Sequence, residues 1–286
     1  MNSKTKLCCL IGNPVEHSIS PLIHNFLAKK MNINLVYTAF KVEDELLGQA
    51  VTGAKALGVL GMNVTVPHKC NVMEYLDEID DIAAKIGAVN TVVTTQNGYK
   101  GYNTDILGLR RQLVEEGIVI KGREVIIIGA GGASRAITYL CANEGAKKIW
   151  LLNRNLPNAQ ALANEVNQSY TDVVCPLTLD EYVKIPKGKY PVIQTTSVGM
   201  YPNTDKAAIE DREFYELVEA GVDIIFNPFE TKFMKLCKDS NAKAFNGLKM
   251  LLYQGVAAFE LWNGVKVSEE LSKEVFSLME KEFLNG

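Results

Sequence analysis

Of the 286 residues, one stretch leaves the chain the fewest choices of fold: Arg123-Glu-Val-Ile-Ile-Ile-Gly-Ala-Gly-Gly-Ala-Ser-Arg-Ala136. A charged lead-in gives way to a β-branched run, Val125 to Ile128, of the kind buried on both faces of a parallel sheet. Glycines at 129, 131 and 132 break the run, and helix formers follow from Ala133 to Asn143. A strand, a glycine turn and a helix N-terminus open a dinucleotide-binding βαβ unit. Gly129 allows the tight turn, and Gly131 lets backbone N–H groups approach a pyrophosphate at the positive end of the helix. Many strand-to-helix turns carry glycines for geometry alone, but the context on both sides favours a cofactor here. The third small position is Ser134, a mild departure from Gly or Ala. Gly129, Ala130, Gly131, Gly132 and Ala133 are therefore candidate cofactor contacts.

The next strand pattern, Lys148 to Leu152, ends in Asn153-Arg154-Asn155. An NAD site usually places an acid roughly 20 residues past the glycines to hold the ribose 2′-hydroxyl. No acid occurs from Asn153 to Asn164. A carboxylate would repel a 2′-phosphate, whereas Arg154 can pair with one bidentately, so the local charge favours NADP. Val173 to Leu177, Val192 to Thr195 and Val222 to Phe226 read as further buried strands. The loop Thr195-Thr-Ser-Val-Gly-Met200 offers hydroxyls at a strand end, where a nicotinamide can lie.

The first half of the chain is built differently. Leu7 to Ile11 reads as a strand, followed by a polar loop in which Ser20 suits a helix N-cap and Pro21 the first helical position. Ser18 is not needed for that cap, and two hydroxyls beside a helix N-terminus suit a carboxylate. Strand patterns follow at Leu35–Val42 and Val59–Val66, with a helix at Leu46–Leu57 between them. Thr65 and Lys69 emerge near a strand's C-terminal end, where open α/β sheets place ligands. For Lys69, solvated charge and function stand level. Asp77 to Ile86 reads as a helix, and Asn97-Gly98 between β-rich runs signals a hairpin. Asp105 begins the helix Ile106–Glu116, and for its carboxylate capping and chemistry compete evenly. After Val222–Phe226 come Asn227-Pro228 and a helix through Lys238. Asn246-Gly247 then opens an apolar helix, Leu248–Trp262, and a last amphipathic helix runs from Glu269 to Phe283.

A net charge of -3 gives no basic footprint for nucleic acid or an anionic membrane. The apolar run before Gly12 is too short for a signal peptide, and no stretch is long enough to span a bilayer. The six scattered cysteines show no metal-ligand spacing, so reduced thiols in a cytoplasmic protein are expected.

Taken in order, several motifs resemble the shikimate dehydrogenase family over nearly the whole chain. They are Gly-Asn-Pro-Val-Glu-His-Ser-Ile-Ser-Pro from Gly12, Asn-Val-Thr-Val-Pro-His-Lys from Asn63 and Gly-Ala-Val-Asn-Thr from Gly87. Gly-Tyr-Asn-Thr-Asp from Gly101, the glycine loop from Gly129 and an Asn-Gly-Leu…Gln pattern ending at Gln254 complete them. The resemblance implies reversible NADP-linked reduction of 3-dehydroshikimate to shikimate, a step toward chorismate and the aromatic amino acids, by a monomer or homodimer. It implies a two-domain α/β fold: a substrate domain (1–106), a Rossmann-type parallel-sheet NADP domain (107–245) and C-terminal helices (246–286) that rejoin the first. By the same resemblance Ser18 and Ser20 hold the substrate carboxylate, Thr65, Asn90, Asp105 and Gln254 bind ring hydroxyls, and Lys69 and Asp105 form the catalytic pair. Asn153, Arg154, Thr195, Phe226 and Gly247 join the glycine loop on the cofactor side. Phe226 stands where members commonly carry a tyrosine that reaches the carboxylate. A quinate/shikimate dehydrogenase with relaxed cofactor use, and a non-catalytic shikimate- or nucleotide-binding module, are the alternative readings.

Overall fold

A computed structural model describes residues 1–285. The chain divides into two compact units, Met1–Gly108 together with the segment from Leu251 onward, and Leu109–Met250. The first unit opens with β1 (Lys6–Gly12), α1 (Ser20–Lys30), β2 (Leu35–Lys41), α2 (Leu47–Ala56) and β3 (Gly61–Val64). It continues with β4 (Glu78–Ile79), α3 (Asp81–Ile86), β5 (Thr91–Thr95), β6 (Gly98–Tyr102) and α4 (Thr104–Glu115), which runs on into the second unit. The strands form one mixed sheet in the order β2-β1-β3-β5-β6-β4. β1 is parallel to β2 and β3, while β5 runs antiparallel to β3 and β6. Ile11, Leu47, Val51, Met62, Val92 and Tyr99 belong to the core on one side of this sheet.

Two local expectations are corrected. Asp77 to Ile86 is not one helix: Glu78–Ile79 pairs with β6 as a short edge strand. The helix starts only after Asp80, whose carboxylate accepts the Ile82 N–H (3.1 Å) and so caps it. The strand expected from Val59 to Val66 is regular only over Gly61–Val64, the part paired on both sides.

The second unit is doubly wound. It contains β7 (Glu124–Ile128), α5 (Gly132–Asn143), β8 (Lys148–Leu152), α6 (Leu156–Ser169), β9 (Val174–Leu177) and β10 (Tyr190–Gln194). α7 (Arg212–Tyr215), β11 (Val218–Asp223), α8 (Lys232–Asp239) and β12 (Lys243–Phe245) follow. The sheet order is β12-β11-β10-β7-β8-β9, and every pair is parallel. The winding reverses between β7 and β10, and the carboxyl ends of those strands are where such sheets bind ligands. The strand read at Val222–Phe226 instead spans Val218–Asp223. Asp223 turns the chain there, because its carboxylate accepts the Ile225 N–H (3.0 Å), and Phe226 falls beyond the strand end.

α9 (Leu248–Asn263) leads back into the first unit, and α10 (Glu269–Asn285) follows. The Asn246 side chain accepts the Leu248 N–H (3.1 Å) at the start of α9. Further along, the Trp262 indole donates to the Val92 carbonyl (2.9 Å), tying α9 to β5. Among the described residues no helix is long and apolar enough to cross a membrane.

Candidate active site

Strand register gathers the polar residues of the first unit at one sheet edge. Ile11 pairs with Val64, so the loop carrying Ser18 and the loop carrying Thr65 and Lys69 leave neighbouring parallel strands at the same end. Asn63 pairs with Thr91 across antiparallel strands, and Thr91 with Tyr102. Asn90, just before β5, and Asp105, just after β6, therefore reach that edge as well. Four segments distant in sequence thus supply one polar rim.

On this rim the Lys69 ammonium donates to an Asp105 carboxylate oxygen at 2.7 Å, both side chains being partly exposed. Asn103 accepts the Asp105 N–H (3.2 Å) at the start of α4, which leaves the Asp105 carboxylate to the lysine. Asn90 is buried; its Oδ1 accepts the Thr104 N–H (2.7 Å) and lies 3.1 Å from the hydroxyls of both Thr104 and Thr91, one of which donates to it while the other donates to its fellow hydroxyl. Its amide NH₂ is the group left for a ligand.

At the start of α1 the expected cap is corrected. Ser20 is the first residue of α1, with no side-chain cap, and Ser18 Oγ accepts the Ser20 N–H (3.2 Å). Ser18 thus orders the helix start, and Ser20 is buried. Gln254 in α9 donates to the Leu251 carbonyl (2.9 Å), which leaves Oε1 as its acceptor. Thr65 is partly exposed, and its N–H donates to the Ile11 carbonyl (2.9 Å).

Behind the rim runs a buried polar chain. The Tyr37 hydroxyl donates to Asn63 Oδ1 (2.8 Å), and Asn63 Nδ2 donates to Thr91 Oγ1 (3.1 Å). Thr91 in turn exchanges a hydrogen bond with Thr104 (2.9 Å). Such a chain, fully satisfied, fixes the strands that carry Asn90 and Asp105. Its members look like ordinary strand residues in sequence; the one available signal is asparagine inside an apolar strand. His24 is fully buried and stacks on Tyr37, with ring centroids 4.2 Å apart. Among the described residues neither ring nitrogen has a hydrogen-bond partner, and burial pushes the imidazole down to about 3, so it is neutral at physiological pH.

In the second unit the glycine loop joins β7 to α5. Gly129 has φ +115°, and a Cβ there would lie 2.5 Å from the Thr195 hydroxyl, so only glycine fits. The fold makes no such demand at Gly131 or Gly132, where a Cβ would meet nothing within 4 Å. These two exposed residues open α5, which has no side-chain cap, so its first N–H groups are available to an anion. Ala130 is partly exposed and Ala133 exposed on the same turn. Ser134 strengthens the loop, since its buried hydroxyl donates to the Gly129 carbonyl (2.6 Å). The Thr195 hydroxyl donates to the Ile128 carbonyl (2.7 Å), stitching β10 to β7 at the point where the winding reverses.

Asn153 donates to the Asn155 carbonyl (2.8 Å), and Asn155 caps α6 by accepting the Asn158 N–H (3.2 Å). The exposed Arg154 lies between them and makes no ion pair among the described residues. Its guanidinium has the freedom that a 2′-phosphate ligand requires. Phe226 is half-buried. Gly247 is buried, and a Cβ there would lie 2.0 Å from the Ile224 carbonyl oxygen, so this glycine is required by backbone packing.

Comparison with known proteins follows the same division. Residues 10–92 match the family model of the shikimate dehydrogenase substrate-binding domain. Residues 112–185 match that of shikimate/quinate 5-dehydrogenase, and residues 247–274 the shikimate 5′-dehydrogenase C-terminal domain. The chain is 44% identical over 277 residues to the shikimate dehydrogenase (NADP(+)) of Methanocaldococcus jannaschii, covering 96% of each protein. A crystal structure of a shikimate dehydrogenase in complex with NADP+ has a TM-score of 0.87 at 41% identity, covering 98% of this chain and 97% of that one. The shikimate 5-dehydrogenase of Listeria monocytogenes, in complex with shikimate and NAD, has a TM-score of 0.89 at 31% identity, covering 96% and 97%.

Proposed function

The chain belongs to the shikimate dehydrogenase family, and on that premise we propose that it catalyses the reversible, NADP-linked reduction of 3-dehydroshikimate to shikimate. The observation that carries the reading is the Lys69–Asp105 ion pair at the polar rim of the first unit. Bound NADPH supplies the hydride. The protein must then stabilise the negative charge that grows on the ketone oxygen and deliver a proton to it. Lys69 has the charge and the proton for both tasks. Asp105 keeps the ammonium aimed, through the hydrogen bond that it accepts from it at 2.7 Å. It can also accept from a ring hydroxyl through its second oxygen.

The remaining rim residues suit a polyhydroxylated ring acid. Ser18 and Ser20 offer hydroxyls at a helix start for the carboxylate, in a half of the chain that has no arginine before Arg110. Thr65, Asn90 and Gln254 supply neutral donors and acceptors for the hydroxyls. On the dinucleotide side, the open N-terminus of α5 suits the pyrophosphate and Arg154 the 2′-phosphate. With Cys8 and Cys9 free and buried in β1, the protein suits the reducing cytoplasm, where it acts as a monomer or homodimer.

The test is kinetic. Lys69→Ala should lower kcat by about 10²–10⁴, the range for a positioned proton donor, with the shikimate KM moving much less. Asp105→Asn should also lower kcat, and the double variant should be little worse than the more damaging single one. A Lys69→Ala enzyme with full kcat and poor shikimate binding would make Lys69 a binding residue only.

A further inference from the structure

Asp223 is a carboxylate in an unusual place. It ends β11, is fully buried, and has no cationic partner among the described residues. Three donors surround it instead: the Ile225 N–H (3.0 Å), the Gln194 amide (3.2 Å) and the Thr231 hydroxyl (2.7 Å). Burial pushes its carboxyl up to about 7, so the site is costly, and an apolar residue would serve simple packing better.

What the carboxylate holds explains the cost. Gln194, also fully buried, ends the adjacent strand β10. Its Oε1 accepts the Thr196 N–H (2.5 Å), and its Nε2 donates both to Asp223 and to the Thr196 carbonyl (3.1 Å). The same glutamine's backbone carbonyl accepts the Ile224 N–H (3.1 Å). One cluster therefore fixes two loops at the carboxyl edge of the parallel sheet. One is Thr195–Gly199, whose first hydroxyl is stitched to β7. The other is Ile224–Phe226, whose Ile225 carbonyl accepts the Gly247 N–H (2.9 Å). Thr195, Phe226 and Gly247 are the proposed cofactor residues that lie beyond the glycine loop.

The geometry points to Asp223, acting through Gln194, as a positioning residue for the dinucleotide site: it sets the two loops against which the cofactor rests, and touches no ligand itself. The inference rests on the NADP reading above. It predicts a loss confined to dinucleotide binding, which general destabilisation would not produce.

The experiment compares Asp223→Ala, Asp223→Asn and Gln194→Leu with the wild-type protein. NADPH affinity is read by fluorescence titration, shikimate affinity by calorimetry, and loop order by amide hydrogen exchange. Asp223→Ala and Gln194→Leu should weaken NADPH binding about tenfold, leave shikimate binding within about twofold, and speed exchange in residues 195–199 and 224–227. Asp223→Asn keeps the shape and most of the hydrogen bonds, so it should bind NADPH nearly as the wild type does. If Asp223→Ala does not fold, Gln194→Leu decides alone. Unchanged NADPH affinity in a folded Gln194→Leu protein would overturn the inference, as would equal losses for both ligands. Wild-type protein that fails to bind NADPH would instead overturn the cofactor reading, and the inference with it.

Discussion

At the scale of single residues, much of the site depends on which of two adjacent polar side chains takes the structural task. Asn103 satisfies the start of α4, and Asp105 is thereby released to Lys69. Ser18 orders the start of α1, and the Ser20 hydroxyl is spared that task. In the second unit Asn153 and Asn155 bond locally around Arg154, which is left extended toward solvent. Cofactor choice should follow from that single cation. Arg154→Ala should raise the KM for NADP by roughly 10- to 100-fold, the scale of one charge-assisted hydrogen-bonded pair, and barely move that for NAD. Steady-state kinetics with both cofactors checks this; parallel effects on the two would mean that Arg154 does not meet the 2′-phosphate.

At the scale of elements, the helix start at α4 is the one that matters most for chemistry. Removing its cap with Asn103→Ala should cost about 1 kcal/mol of stability. The Asp105 carboxylate would then be drawn toward the vacated N–H groups and away from Lys69. A fall in kcat with little change in NADP KM is expected, and an unaltered kcat would show that Lys69 holds Asp105 unaided. Most elements were legible beforehand because their signals are local. The β-branched run before Gly129, the Asn-Gly hairpin and the Ser-Pro helix start each lie within a few neighbouring residues. Misreadings arose where a partner far along the chain decided the outcome. Glu78–Ile79 is a strand only because β6 lies beside it. β11 ends at Asp223 because Gln194 and Thr231 fix that carboxylate. The Tyr37–Asn63–Thr91 chain joins residues 26 and 28 positions apart, a separation at which no sequence pattern announces a hydrogen bond. The rim residues themselves were named from family motifs, whereas composition and spacing alone left Lys69 and Asp105 undecided.

For the whole molecule, two buried titratable groups bracket the pH range of greatest stability. His24 is held near 3 against an ordinary 6.5, so the unfolded chain binds a proton that the folded one refuses. Its contribution is intact above about 6.5 and is lost as pH falls toward 3. Asp223 works in the opposite sense. Raised from 3.8 to about 7, its carboxyl favours the folded state most at low pH, and that advantage disappears as pH rises through 7. His24→Phe, which keeps a ring against Tyr37, should flatten the acid side of a melting-temperature profile between pH 4 and 7 and leave the alkaline side alone. A variant that loses stability in acid as steeply as the wild type would refute this role for His24. The division of the chain has a further consequence, for the order in which the protein is made. Every strand of the second sheet has been synthesised by Phe245. The first unit still lacks α9, whose Trp262 bonds to β5 and packs beside His24. On the ribosome, the first unit is therefore completed after the second sheet, and its apolar faces wait for helices encoded later in the message.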